Sequence, residues 1–437
     1  MNFKRILCII LVLFVLFNTS CDSFDFGQAD GSGTTESSFA ESTPIATPEE
    51  SSSDETPTES TPIATPGQST VTDPGESTPA ENPELDPPDT FSIHVLELGN
   101  NHNGDCIFIE ANDVDILIDA GSRSDSADDI IDYVNDYCDD GVLEYVIVTH
   151  AHQDHIAAFS GTWGGKDYNG NEIDYNGIFY YYGIGTIIDF PQANSTSNVY
   201  QNYVMARNYA VKNGAMHHTA YECILRAEGA ERQYQLTDCV TMTILNTEFY
   251  ANETSDENDH SVCVMFTYTY GDTVRNYLFT GDLEADGEES LMELNDLPEV
   301  DFFKAGHHGS KTSSGRKLLS VIKPKNVVVS CVAGNTEYTK YYQNTFPTQE
   351  LIDRVSVYTE SVYVTSYYDH EAKVQKSLNG NIIYKTCGDD AWFICSGESS
   401  VLKDTTWFNS TVYVVGSTIT DRSVAGGREV QWRVWKD

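Results

Sequence analysis

From Phe91 onward the chain alternates apolar and polar residues in short runs broken by Gly, Asp and Asn, the period-two pattern of half-buried strands. Phe91–Leu98, Cys106–Glu110 and Val114–Ile118 read as three successive strands. Ser126–Cys138 changes to a helical period, with Ile130, Val134, Tyr137 and Cys138 on one face and Gly141 stopping it. A buried strand, Leu143–Val148, follows. Ser261–Tyr270 alternates again, turns at Gly271-Asp272 and returns through Val274–Phe279. Beyond it the pattern predicts a helix over Glu284–Leu294, a strand over Asp301–Ala305, a helix opening at Ser310 toward Val321, a strand over Asn326–Cys331, a helix over Thr348–Val355 and a strand over Val362–Thr365. Gly380–Lys385, Trp392–Cys395, Thr411–Val415 and Arg428–Trp435 are strand-like. Strands and helices in this order predict a layered α+β fold.

Residues 161–254 are less regular, with a strand over Thr186–Phe190 and a helix around Tyr200–Val211. They read as an insertion that walls a substrate site or packs the sheet. His217-His218, outside any predicted strand, reads as a surface pair. Tyr180–Tyr182, Tyr338, Tyr341 and Tyr342 suit either a glycan- or choline-binding surface or ordinary packing.

The first ninety residues follow a different pattern. Lys4 and Arg5 precede an apolar run, Ile6–Phe17, and small polar residues lead to Cys21, which predicts a signal peptide over residues 1–21. Asn18-Thr19-Ser20-Cys21 resembles a bacterial lipobox, with Asn18 where Leu is usual, and marks Cys21 for lipidation. Residues 22–90 are rich in Ser, Thr, Pro and Glu, repeat Ser-Thr-Pro-Ile-Ala-Thr-Pro at Ser42–Pro48 and Ser60–Pro66, and contain no Lys or Arg. Such composition predicts a disordered tether lifting a domain off a membrane. The domain itself is expected over 91–395, with a C-terminal β extension over 396–437.

The net charge is −42. So acidic a chain repels polyanions, which argues against polymeric nucleic acid as a partner, but not against a small anionic substrate drawn to bound cations. Of ten cysteines, none forms a CxxC pair, so a cysteine-bound structural zinc is not expected. Cys387 and Cys395 are placed to close a hairpin by a disulfide in an exported protein.

The chemistry concentrates after the strand Leu143–Val148, in Thr149-His150-Ala151-His152-Gln153-Asp154-His155. His150 and His152 alternate and can leave one side of an extended turn toward one ion. Asp154 and His155 begin a new element and can face a second. Imidazole and carboxylate suit Zn²⁺, with Mn²⁺ as the alternative. The strand Val274–Phe279 ends in Thr280-Gly281-Asp282, where a carboxylate can bridge two metals. Gly306-His307-His308-Gly309 lets a loop approach a metal closely. The following Ser310–Ser314 offers hydroxyls, helix-start N–H groups and Lys311 to an anion, or simply caps the helix.

With these motifs in order, residues from about Phe91 to Cys395 resemble the metallo-β-lactamase fold, and within it the competence-protein, ComEC/Rec2-like branch. The resemblance rests on Asp119-Ala120-Gly121, Thr149–His155, Asp259-His260-Ser261, Thr280-Gly281-Asp282 and Gly306–Ser314. It implies a four-layer αββα sandwich with two divalent metal ions at one edge. His150 and His152 would hold the first ion and Asp154 and His155 the second. Asp282 would bridge both. One of His307 and His308 would complete the second site while the other contacts the leaving or phosphoryl group. His260 stands where the superfamily places a third histidine of the first ion, and Asp119 would orient a ligand histidine.

Two segments depart from the branch. Its Gly-Gln-Gly-Asp is replaced by Gly99-Asn100-Asn101-His102-Asn103-Gly104-Asp105, and its Tyr-Gly-His-Pro is replaced by a stretch ending in Phe346-Pro347. The lost histidine and the acidic charge argue against DNA uptake or cleavage. The expectation is therefore an exported, membrane-tethered hydrolase at the outer face of a bacterial membrane, attacking a small or wall-linked phosphodiester or related ester with hydroxide generated at the ions. Asp154, His307, His308 and Lys311 would be the catalytic groups. The alternatives are amide or thioester hydrolysis of the β-lactamase kind, and a surface binding protein with a non-catalytic metal site.

Overall fold

The computed structural model describes residues 88–436. The signal peptide, Cys21 and nearly all of the tether lie outside the described residues. Among the described residues no helix is long and apolar enough to cross a membrane.

Two eight-stranded sheets form the centre of the fold. The first runs, in spatial order, Asp390–Cys395, Ile382–Cys387, Thr90–Val95, Ile107–Ala111, Val114–Ile118, Val142–Ile147, Gly183–Asp189 and Met216–Thr219. It is antiparallel as far as Val114–Ile118 and parallel beyond. The second runs Val374–Ser377, Val362–Asp369, Val327–Ala333, Phe302–Lys304, Thr273–Phe279, Cys263–Tyr270, Val240–Leu245 and Gln233–Gln235. Its four strands from Val362–Asp369 to Thr273–Phe279 are parallel.

The inner faces meet through aromatic side chains. Phe91 lies 4.9 Å from Tyr277 and 5.6 Å from Phe266, between ring centroids, and Phe302 lies 5.6 Å from Tyr384. Strand alternation sends successive residues to opposite faces. Phe302 and Val328 thus join the inter-sheet core, while Phe303, Val327 and Val329 pack outward against Leu318, Leu319, Ile322, Leu351 and Ile352 of the helices Arg316–Ile322 and Gln349–Val355. Ser126–Val134, Gln153–Ser160 and Asn198–Lys212 cover the first sheet with Ile130, Val134, Phe159 and Tyr203. The result is the αββα sandwich.

Several expectations change. Residues 161–254 are not a separate insertion: Gly183–Asp189 and Met216–Thr219 extend the first sheet, and Gln233–Gln235 and Val240–Leu245 extend the second. His217 and His218 lie in a strand, with His217 Nε2 2.8 Å from Asp189 Oδ1. Short strands with polar flanks hid this sheet edge. The tyrosines form no single surface, since Tyr182 is buried and Tyr180 packs on Tyr209. In the hairpin Cys387 pairs with Asp390 and Cys395 with Ile382, so the register sets the two thiols at opposite ends and both are free. Thr411–Val415, Thr418–Ile419 and Arg428–Gln431 form a separate three-stranded sheet.

Candidate metal centre

Chain reversals at the carboxyl ends of parallel strands in both sheets bring the chemistry together. Asp119 follows Val114–Ile118, His150 follows Val142–Ile147, Asp282 follows Thr273–Phe279, and His307 and His308 follow Phe302–Lys304. His152 takes the N-cap position of the helix Gln153–Ser160, which places Asp154 and His155 in its first turn. Two glycines make the approach possible. A Cβ on Gly121 would sit 1.5 Å from the Asp154 carbonyl oxygen, and Gly281, at φ +54°, lies against the Thr149 side chain. Both loops can close on the helix start only without a side chain there.

The buried core of the site is His155, Asp282 and His308. Nε2 of His155 lies 3.1 Å and Nε2 of His308 3.4 Å from Oδ2 of Asp282. His308 Nε2 is also 3.3 Å from Asp154 Oδ2. Both imidazole nitrogens and Asp282 Oδ1 are buried without a hydrogen-bond partner. Buried polar atoms are normally satisfied, so three converging atoms without protein partners suit a metal ion as their common partner.

The opposite ring nitrogens are fully engaged. His155 Nδ1 lies 2.7 Å from Asp119 Oδ2, and Asp119 also accepts from the Thr149 amide (2.8 Å) and hydroxyl (2.7 Å). His308 Nδ1 faces Asp105 Oδ1 and the Ser330 carbonyl, both at 3.1 Å. This is how proteins hold metal-binding imidazoles, with the far nitrogen fixed by a carboxylate or carbonyl. Asp105 is in turn paired at 2.6 Å with the buried ammonium of Lys304. Asp105, His155, Asp282 and His308 offer atoms within one ion's reach, but both Asp105 oxygens are occupied, which leaves it the orienting role.

Electrostatics agree. Asp105, Asp119, Asp154 and Asp282 crowd around His155 and His308, and of the four only Asp105 pairs with a lysine, the buried Lys304, among the described residues. Burial opposes charge on His155 and His308, yet Asp282 with Asp119 holds the His155 proton far more tightly than usual, and Asp282 with Asp105 raises His308 to about 10. Burial depresses His150 well below its ordinary value. A cavity whose ionised carboxylates hold protons on His155 and His308, while burial keeps His150 neutral, fits a divalent cation.

His150 Nε2 and His152 Nδ1 stand 3.0 Å apart at the exposed side of this cluster. His260 is buried, with Nδ1 facing the Phe249 carbonyl at 3.4 Å. The two histidines of the Gly306–Gly309 loop part company. His308 is buried among the ligand atoms, while His307, with 23% of its side chain exposed, stands at the mouth. Its Nδ1 lies 3.0 Å from Glu284 Oε1 and its Nε2 3.9 Å from Asp282 Oδ2. Both residues adopt φ near +50°, a left-handed conformation costing non-glycine residues on the order of 1–3 kcal/mol each.

The anion-holding reading of Ser310–Ser314 is corrected. The helix begins only at Arg316, so these residues form a turn whose buried groups face inward. Ser313 donates to the Asp282 carbonyl at 3.3 Å and Ser314 accepts from the Gly306 amide at 3.0 Å. Lys311 is exposed and pairs with no carboxylate among the described residues. The hydroxyls brace the ligand loops instead of offering themselves to substrate.

Sequence reasoning missed Asp105, Lys304, Glu284 and Tyr338. A lysine inside the apolar strand Phe302–Lys304 and an aspartate opening one at Cys106 were the available signals for the first two. Tyr338 donates to Asp154 Oδ2 at 2.7 Å and had none.

Comparison with known proteins agrees with this geometry. The model of the metallo-β-lactamase superfamily matches residues 99–161, the segment carrying Asp105, Asp119 and the histidine motif. The chain has the metallo-β-lactamase fold, and the matched segment is similar to that superfamily, whose members are metal-dependent hydrolases. Within that class it is ComEC/Rec2-like. It is 32% identical over 82 residues to ComE operon protein 3 of Bacillus subtilis, covering 19% of this chain and 10% of that protein. It is 33% identical over 113 residues to Recombination protein 2 of Haemophilus influenzae, covering 26% and 13%. The matched segments thus span about a tenth of the length of these relatives. Among solved structures, the metallo-β-lactamase fold protein YhfI from Bacillus subtilis superposes with a TM-score of 0.33 at 12% identity, over 68% of this chain and all of that one.

Proposed function

We propose that this chain is an exported, membrane-tethered hydrolase of phosphodiester or related ester bonds that works with two divalent ions, Zn²⁺ or Mn²⁺. The observation that carries the reading is the convergence of the unpartnered Nε2 atoms of His155 and His308 and Oδ1 of Asp282 beside the His150–His152 pair. The export and tethering rest on the sequence of residues 1–90.

His155, His308, Asp154 and Asp282 would hold one ion and His150 and His152 the other, with Asp282 between them. Bound there, the ions supply Lewis acidity toward a phosphoryl oxygen and toward water. The chain's own groups do the rest. Asp154, on the first turn of its helix, orients the attacking water through its carboxylate. Glu284 accepts from Nδ1 of His307, which turns Nε2 toward the mouth, where the doubly protonated ring would donate to the charge that builds on the phosphoryl or leaving oxygen. Asp119 and Asp105 keep the two ligand imidazoles in orientation and tautomer. An anionic ester would be drawn to the cations alone, since the rest of the acidic chain repels it.

The test is hydrolysis of bis-p-nitrophenyl phosphate by the full chain with added Zn²⁺ or Mn²⁺, beside Asp154→Ala. Metal-dependent turnover that disappears in the variant supports the reading. A folded, ion-binding protein that turns over neither this ester nor other phosphodiesters sinks it.

A further inference from the structure

The turn 99–105, which stands where Gly-Gln-Gly-Asp is usual, and the loop that leads to Phe346-Pro347 are distant in sequence and touch in space. Glu337, in that loop, reaches the turn. Its Oε1 lies 2.7 Å from His102 Nδ1 and accepts from the Arg123 guanidinium at 2.6 Å. Its Oε2 accepts from the Asn103 amide at 3.0 Å and from the Asn103 side chain at 3.1 Å. Asn335 donates to the Asn101 carbonyl, and Asn103 Oδ1 accepts from the Val332 amide at 2.9 Å. The turn and the loop therefore hold each other.

The next residue after this latch is Tyr338. More than half exposed at 54%, it still directs its hydroxyl onto Asp154 Oδ2, the oxygen that faces His308 Nε2. The ring rests 5.7 Å from Phe346, which packs 5.9 Å from His307. The far end of the stretch is braced by the small C-terminal sheet, where the Tyr342 amide donates to the Ser417 carbonyl at 3.0 Å and Trp432 fills the space against Gly334.

We propose that residues 334–346 form a strap, latched by Glu337, whose Tyr338 is a positioning residue for Asp154. An exposed phenol has no reason to stay on one carboxylate oxygen unless its backbone is held, and a half-buried carboxylate at a helix start has rotational freedom unless a donor fixes it. The strap supplies both restraints. It leads into Phe346-Pro347 and would fix Asp154 toward an ion bound there. The proposal rests on the metal-site reading above and extends it.

The experiment titrates Zn²⁺ calorimetrically into the metal-free full chain, and in parallel follows bis-p-nitrophenyl phosphate turnover. Tyr338→Phe keeps the ring on Phe346 and removes only the hydroxyl. It is expected to weaken Zn²⁺ binding about 10-fold, in line with loss of an outer-shell partner, and to lower kcat with KM little changed. Glu337→Ala is expected to produce the same loss, and the double variant to be no worse than either single one, because both act through one contact. Glu337→Gln, which keeps the shape of the latch, gives a smaller effect in the same direction. Zn²⁺ binding by Tyr338→Phe equal to that of the unsubstituted chain overturns the proposal, and normal binding by Glu337→Ala overturns the latch. Absence of turnover in the unsubstituted chain would instead count against the phosphodiester reading and leaves the calorimetric result standing.

Discussion

Nε2 of His155 stands 3.1 Å from Oδ2 of Asp282 without a hydrogen bond between them. Two buried groups at contact distance but misaligned for sharing a proton are arranged for a third body. Ligand binding to the folded state alone raises stability by about 2.7 kcal/mol at a hundredfold excess over Kd. Zn²⁺ added to the metal-free chain is therefore expected to raise Tm by several degrees, EDTA to reverse the shift, and Asp282→Asn to abolish most of it. A Tm that does not respond to Zn²⁺ or Mn²⁺ would show that the cavity takes no such ion.

His307 and His308 are neighbours in sequence with separate surroundings. His308→Ala removes a donor that faces Asp282 and Asp154 and is expected to weaken metal binding by at least tenfold. His307→Ala, at the mouth, is expected to leave calorimetric Zn²⁺ binding near that of the unsubstituted chain and to lower kcat roughly 10²-fold, the scale of a lost transition-state donor. The opposite pattern in the two variants would exchange their roles.

Glu288 sits behind the ligand loops, buried, with Oε2 accepting from the Gly315 amide at 2.8 Å and Oε1 unpartnered. Burial pushes its carboxyl up from 4.5 to about 7. Between those values the folded chain keeps a proton that the unfolded chain has released, so stability falls as pH rises through this interval. Glu288→Gln removes the titration while keeping an acceptor for Gly315. Its advantage over the native residue is expected to be larger at pH 8 than at pH 5 by roughly 2–3 kcal/mol at most, read from denaturant unfolding at the two pH values. An equal difference at both would mean the buried carboxyl ionises normally.

The local part of this protein was legible because it is written locally. Periodicity marked most strands and helices, and the layered fold followed from their order. His150, His152, Asp154 and His155 fall within six residues, and Asp282 and His307-His308 each follow an apolar strand, so each stood out as a candidate ligand, while their meeting at one edge was implied by the family resemblance. The edge strands Met216–Thr219 and Gln233–Gln235 escaped, being three or four residues long with too few alternations to carry a period. The Ser310–Ser314 turn was mistaken for a helix start because its hydroxyls satisfy distant backbone groups instead of a cap.

The sequence by itself determined the layered class of fold and the residue types able to bind a metal, since both depend on spacing along the chain. Only the tertiary structure decided which histidine of the 307–308 pair is buried against Asp282, and that Asp105 and Lys304 lock it there from 203 residues and 4 residues away. It also decided that Tyr338 reaches Asp154 across 184 residues. Such partners are selected when two sheets pack and bring their strand ends to one edge, and a chain read one residue after another carries no period that records the meeting.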